Sequence, residues 1–563
     1  MIHTGSGVHL VQCRFCGFLD RESDKGTSQG TGARDGQLRR ASPQQPDGID
    51  DLSVSRQDVL WVSPYRYCIP RSHTRNTCTM RLWFLICLTL WFSTVGMALP
   101  PGSLQRTTQR PVPAKAPDAP ASEYAQLFNR QLPNGLEVIV YEDHAVPLVT
   151  IELACRNGSF TEPPELNGLS HLYEHMFFKA NRAVKNQETY LRTIGELGIV
   201  YNGTTNTELV NYYFTTLSRH LPTALRFMRD AALYPAFDEE EFAREKEVVL
   251  SEIDRNESNP YYYLSTEMTR RLFATYTSRK NPLGTRETVA RATTDQMRLI
   301  QQRYYIPNNS AILVAGDVEP EEAFRLVAKY FGDWPRGEDP FKKYPLVEHP
   351  PLKASEGVVV TQPVQNVTIQ IGWHGPSIGK DDAATYAADV FSFILRQPNS
   401  RFQRALVDSG LATGVDLIYL TQRNVGPITL TLQTTPEKAR AALRAVYAEI
   451  EHFADADYFT DEELSVAKTL LEAEDLFSRE KVSEHVHTLS FWWASTGLDY
   501  FRGYLPTLRK TSRADIQRYL RRYILGQPHV TVALMSPEAA SSLKLTEAEL
   551  IGEQQGMAAA AGR

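Results

Sequence analysis

Two histidines stand four residues apart in His171-Leu172-Tyr173-Glu174-His175, and Glu252 follows seventy-seven positions after His175. On a helix, residues four apart lie one above the other, so both imidazoles face the same way with Glu174 beside them. A hydrolytic zinc site takes three protein ligands and leaves one position for water, a demand that two neutral imidazoles and a carboxylate meet. His171, His175 and Glu252 are therefore the candidate ligands, for one Zn2+ per chain. Glu174 is left unligated. Bound zinc brings the pKa of its water toward neutrality, and a carboxylate nearby can take the proton while the oxygen attacks a carbonyl carbon. Glu174 is the candidate general base. The order His-x-x-Glu-His inverts the commoner zinc-protease motif, and taken alone it is equally compatible with a surface helix.

The second segment, Arg244 to Ile253, places Glu245, Val248, Val249 and Glu252 at i, i+3, i+4 and i+7. This spacing predicts a helix that buries a stripe of two valines and two carboxylates. Carboxylates on a buried face need a partner, and a metal is one. The alternative is an amphipathic helix whose glutamates edge the core. Glu245 lies two turns before Glu252 on the same face and is the candidate catalytic support, orienting a ligand or the water.

Together these segments resemble the M16 family of zinc peptidases, the pitrilysin, insulin-degrading enzyme and mitochondrial processing peptidase group, whose pattern is His-x-x-Glu-His, about 76 residues, then Glu. Other segments resemble the family in the same order: Leu132–Val138 its first strand, Gly158–Glu162 the approach to the zinc helix, Asn202–Thr205 and Asn211–Phe214 the substrate strand region, and Tyr305–Asn309 with Gly316–Val318 the end of the first domain. The resemblance implies an α+β fold of two duplicated α/β sandwich domains and a zinc-dependent endopeptidase acting on peptides or unfolded segments. It implies that substrate adds as an extended strand to a sheet edge, with Asn202 contacting its backbone near the cleaved bond. Judged by residue type alone, Asn202 reads as a turn residue before Gly203.

The family's second domain also offers an arginine and a tyrosine that stabilise the developing oxyanion. Here Val407 and Thr413 stand at those places. Valine has no donor and threonine is too short, so the chain resembles the zinc-bearing half of a pair. The expected partner is a related chain carrying the arginine and tyrosine, or a second copy of this one. Two non-catalytic alternatives are a structural member of the same family and a peptide-binding module.

The elements that must carry these residues are legible in outline. Leu136–Tyr141 and Leu148–Leu153 alternate as half-buried strands do, Leu221–Leu233 and Glu239–Arg255 have helical spacing, and Ser310–Ala315 reads as a buried strand. Residues 123–335 are read as the catalytic domain. A Pro-rich, charged stretch, 336–355, is read as an interdomain linker. Beyond it the pattern returns: Val367–Ile371 echoes Val149–Leu153, and Val530–Met535 echoes Ala311–Ala315. Residues 356–540 are therefore read as a second copy. It lacks His-x-x-Glu-His; its Glu484-His485-Val486-His487 has different spacing and reads as ordinary helix packing or surface. Residues 541–563 are read as a tail.

A chain of 563 residues is too long for one ordinary core. Its net charge of −6 and pI near 6.2 argue against nucleic-acid binding as a main activity. Five of six cysteines precede residue 90 and only Cys155 follows, so disulfides are not expected to hold the folded part. Met80-Arg81, the apolar run Leu82–Phe92 and Gly96-Met97-Ala98 read as a secretory signal peptide over 80–98, cleaved after Ala98. Residues 1–79 are then read as an upstream mis-assigned start, and 99–122 as a Pro/Ala-rich linker. The expected location is periplasmic or secreted. The competing reading is a retained membrane anchor, with membrane association only through residues 82–99.

Overall fold

The computed structural model describes residues 11–12 and 124–553. The signal peptide, the upstream segment apart from residues 11–12, the linker 99–122 and the chain's last ten residues lie outside them.

Two sheets organise the described residues. The first comprises β1 (Val11–Gln12), β2 (Leu127–Gln131), β3 (Glu137–Glu142), β4 (Leu148–Cys155), β5 (Val200–Thr205), β6 (Val210–Leu217) and β7 (Ser310–Gly316), in the order β1-β5-β6-β4-β7-β3-β2. The second comprises β8 (Glu356–Thr361), β9 (Val367–His374), β10 (Gly414–Tyr419), β11 (Pro427–Thr434) and β12 (Val530–Met535), in the order β10-β11-β9-β12-β8. Aligning β5-β6-β4-β7-β3 with β10-β11-β9-β12-β8 reproduces the same path in the same chain order. The parallel pairs also correspond, β3 with β7 and β8 with β12, while the other neighbours are antiparallel. The fold is thus α+β and duplicated, as the returning strand patterns imply.

The helices that matter for the site are α1 (Leu169–Phe177), α2 (Leu221–Leu233), α3 (Glu239–Glu257), α4 (Pro260–Leu272), α5 (Asp382–Arg396) and α6 (Val482–Ser495). Helix α3 starts at Asp238, whose carboxylate accepts from the N–H groups of Glu240 and Glu241, and three glutamates fill its first turn. Both features favour a helix N-terminus.

β4 is not half-buried. Every residue after Leu148 is buried, including Thr150, Glu152 and Ala154 on the face expected to meet water. The cause lies more than three hundred residues away: α6 lies across β4 and β7, its Val486, Leu489 and Trp493 in one apolar cluster with Ile139, Ala154 and Leu313. The exchange is reciprocal. Helix α4, from the first half of the chain, covers β9 and β12 of the second sheet, with Leu264, Met268 and Leu272 against Val530, Val532 and Leu534.

Polar contacts accompany the exchange. Glu152 Oε2 meets His487 Nδ1 of α6 at 2.5 Å, and Arg156 donates to the Trp493 carbonyl at 3.0 Å with its guanidinium over the indole. Glu208 accepts from the backbone N–H groups of Arg423 and Asn424, while Lys280 binds the carbonyls of Asn424 and Val425. Residues 336–355 contain a helical turn, Pro340–Lys343, and no strand. The first part of the expected tail is packed: Leu550 is buried and its carbonyl accepts from Tyr447 Oη at 2.6 Å.

Candidate metal centre

Helix α1 is short and wholly buried, so its start must be fixed without water. Glu162 does this. Its carboxylate accepts from the backbone N–H of Gly168 at 2.7 Å and of Ser170 at 2.6 Å, placing negative charge at the helix N-terminus. Burial pushes its carboxyl up to about 7, against those hydrogen bonds. Gly168 has φ 86, and a Cβ there would lie 2.5 Å from Gly284 Cα, so the entry to α1 closes on another glycine.

From this start, α1 presents His171 and His175 toward α3, which presents Glu252. The three donor atoms form a triangle: His171 Nε2 to His175 Nε2 is 3.3 Å, His171 Nε2 to Glu252 Oε2 3.5 Å, and His175 Nε2 to Glu252 Oε2 3.6 Å. Ligands at zinc–nitrogen and zinc–oxygen distances of about 2.0–2.2 Å in a tetrahedron are separated by roughly 3.3–3.6 Å. The residues present fit the ion. His171 is fully buried, and burial above all, then His175, lowers its pKa to about 3 against the opposing Glu252 charge. It is neutral, the form that ligates.

Glu174 projects beside the triangle over β5. Its Oε2 accepts from Thr205 Oγ1 at 2.6 Å, while Oε1 is buried without a hydrogen-bond partner among the described residues. The strand approaches closely because residue 203 is glycine; a Cβ there would lie 2.7 Å from Glu174 Cγ. Burial raises the Glu174 carboxyl to about 7, with Glu252 adding to the rise and His175 and Thr205 opposing it. A carboxyl near neutrality suits an acid–base catalyst.

Glu245 is 4% exposed, and its Oε2 lies 3.1 Å from His175 Nδ1. Its other oxygen lies 2.6 Å from the buried Lys179 ammonium. Burial works against the charged carboxylate, but His175 and Lys179 outweigh it and hold the group below its usual range. The expected stripe on α3 is corrected at one position. Glu245, Val249 and Glu252 are buried, but Val248 is 39% exposed. With 100° per residue, i+3 falls on the flank of a stripe defined by i, i+4 and i+7. Asn202 lies within β5 opposite Tyr213, buried, in a strand and not a turn. Val407 is half-buried against the second core, and Thr413 pairs with the Gln433 carbonyl.

Sequence reasoning missed Glu162, Lys179 and Thr205 as parts of the site. The strand alternation offered one clue, since residues 203 and 205 share a face. Beside the centre, a cavity of about 770 Å3 lies between α4 and the outer face of the second sheet, with Asn206, Asn256, Tyr261, Met268, Gln370 and Thr429 in its walls. Asn206 follows Thr205, and Asn256 is one turn beyond Glu252, to whose carbonyl it donates at 2.8 Å.

Comparison with known proteins agrees with this geometry. Residues 137–286 match the family described as "Insulinase (Peptidase family M16)", and residues 291–471 match "Peptidase M16 inactive domain". The "Uncharacterized zinc protease YmxG" of Bacillus subtilis is 28% identical over 299 residues, 53% of this chain and 71% of that protein. "Zinc protease PqqE" of Helicobacter pylori is 22% identical over 72% of this chain and 91% of its own length. A solved protease from Helicobacter pylori superposes with a TM-score of 0.66 at 22% identity, covering 72% of this chain and 99% of that one. The periplasmic protease PqqL of Escherichia coli gives 0.61 at 16% identity, over 76% of this chain and 50% of that one.

Proposed function

Because the chain belongs to peptidase family M16, we propose that it is a zinc-dependent endopeptidase that hydrolyses peptides or unfolded segments, with His171, His175 and Glu252 holding the ion. The observation that carries this reading is the 3.3–3.6 Å triangle of donor atoms beside a buried carboxylate, one of whose oxygens has no hydrogen-bond partner among the described residues. The ligands and base all fall within the residues that match the insulinase description, and the stretch matching the inactive domain contains none of them.

When bound, zinc supplies Lewis acidity, polarising the scissile carbonyl and acidifying the attacking water. Glu174 takes the water proton at Oε1 and passes it to the departing amine, while Thr205 donates to Oε2 and leaves Oε1 as the oxygen open to the water. Glu245 accepts the His175 Nδ1 proton, which leaves Nε2 as the donor atom facing Glu252. The edge of β5 pairs antiparallel with Val11–Gln12, and an extended substrate would use the same backbone groups, with Asn202 contacting it near the cleaved bond.

Neither Val407 nor Thr413 offers an oxyanion donor, so the chain is the catalytic half of a pair whose other member, a related M16 chain, supplies arginine and tyrosine. Residues 80–98 act as a signal peptide, placing the enzyme in the periplasm or outside the cell. Terminal sequencing of secreted protein should read Leu99 first; an intact chain starting at Met1 would favour the anchored form. The central test is metal analysis with a peptide-cleavage assay. About one zinc per chain and loss of cleavage on chelation are expected, and full activity in metal-free protein would refute the mechanism.

A further inference from the structure

Lys179 is 1% exposed, two residues beyond the end of α1. Lysine is almost never so deeply buried unless its charge is paired. Its Nζ lies 2.6 Å from Glu245 Oε1. The opposite oxygen of the same carboxylate lies 3.1 Å from His175 Nδ1. One carboxylate thus bridges an ammonium and a ring whose far nitrogen stands 3.6 Å from Glu252 Oε2. A carboxylate held at one oxygen can still rotate about its Cγ–Cδ bond. Held at both, it has a fixed plane and offers His175 an acceptor in one direction only. His175 Nδ1 is then the protonated nitrogen and Nε2 presents its lone pair to the ligand triangle.

We propose that Lys179 is a positioning residue of the metal centre, acting through Glu245 to orient the His175 ring. This rests on the reading of His171, His175 and Glu252 as zinc ligands. It extends that reading to a lysine that touches neither metal nor substrate. The ammonium also compensates the buried Glu245 charge, so that the carboxylate serves as an acceptor and not as an isolated anion.

The test measures zinc dissociation constants by competition with a chromophoric chelator, on full chains, for wild type, K179M, E245Q and K179M/E245Q. Loss of such support weakens metal binding by about 10–100-fold, and K179M should fall in that range. If Lys179 acts through Glu245, the double variant should bind zinc as E245Q does, within about twofold. A folded K179M with wild-type zinc affinity overturns the proposal, as does a double variant that is weaker by the product of the two single losses. If K179M alone does not fold because it strands the Glu245 charge, the comparison of E245Q with the double variant still decides, since the double variant removes both charges together. A wild-type chain that takes up no zinc overturns both readings, whereas normal uptake with an unaffected K179M overturns only this one.

Discussion

Replacing His487 with alanine should destabilise the protein without touching the candidate metal centre. Glu152, on the central strand β4, is 0% exposed; it keeps a hydrogen bond from Asn211 Nδ2 at 2.7 Å but loses the imidazole at 2.5 Å. Breaking a buried pair by removing one partner costs about 3–5 kcal/mol, because a charge is left buried and uncompensated. His487 is itself 24% exposed at its side chain, which admits some water and points to the lower end, about 3 kcal/mol. E152Q/H487A should recover most of this loss, since no charge remains to strand. The pH dependence has a definite sign. Burial disfavours the imidazolium, but the Glu152 charge and hydrogen bond outweigh it and raise the His487 pKa above 6.5, with Glu484 adding to the rise, Lys481 opposing it, and the Tyr213 ring tilted against the imidazole. A group with a raised folded pKa contributes fully below its unfolded value and loses that contribution as pH climbs through the folded one. The gap between wild type and H487A should therefore be widest below about pH 6.5 and shrink above it. Urea unfolding of metal-free protein from pH 6 to 9 measures both quantities. A cost under about 1 kcal/mol, a gap that widens with pH, or no recovery in the double variant would refute the argument.

Glu174→Gln should retain zinc and lower turnover by at least about a hundredfold, near 3 kcal/mol of barrier, because it keeps the side chain's shape and removes the base; loss of zinc in a titration would make Glu174 a ligand instead. Glu245→Gln should reduce metal affinity or rate by about 10–100-fold, and a variant unchanged in both would reduce Glu245 to an ordinary buried ion pair. The isolated chain should cleave fluorogenic peptides weakly and gain strongly from a related chain bearing the arginine and tyrosine, since one oxyanion donor is worth about 10²–10³ in rate. A monomer or homodimer with full activity by native mass determination would show that other residues supply the donors.

The chemistry-bearing residues were legible because their spacing is local. His171, Glu174 and His175 share one face of one helix, and Glu245 and Glu252 are two turns apart on another. The duplicated sheets were legible too, since Val530–Met535 and Ser310–Gly316 carry the same apolar runs, each forming a fully buried strand. Pairings between distant segments were not. Nothing in the alternation of β4 foretells α6 on its second face, so Glu152 looked like a solvent residue and His487 like helix packing or surface. Thr205 joins the site only through the register of β5 under α1, and Lys179 only through the packing of α1 against α3. Val248 failed for a geometric reason, being one flank away from a stripe that its neighbours define.

The exchanged helices also set a timetable for synthesis. β7 completes the hydrogen bonding of the first sheet at Gly316, but α6, which covers its second face, begins roughly 170 residues later. At about 5–20 residues per second, that interval is roughly 10–30 s. Throughout it, the apolar groups of β3, β4 and β7 that finally rest on α6 have no cover from their own half of the chain. For the same time, the apolar side of α4 has no second sheet to rest on. His171, His175 and Glu252 would thus be translated, and their own helices formed, well before the scaffold behind them closes. Ribosome-bound chains stopped near residue 340 should be protease-sensitive in the first sheet, and chains extended past residue 550 should not.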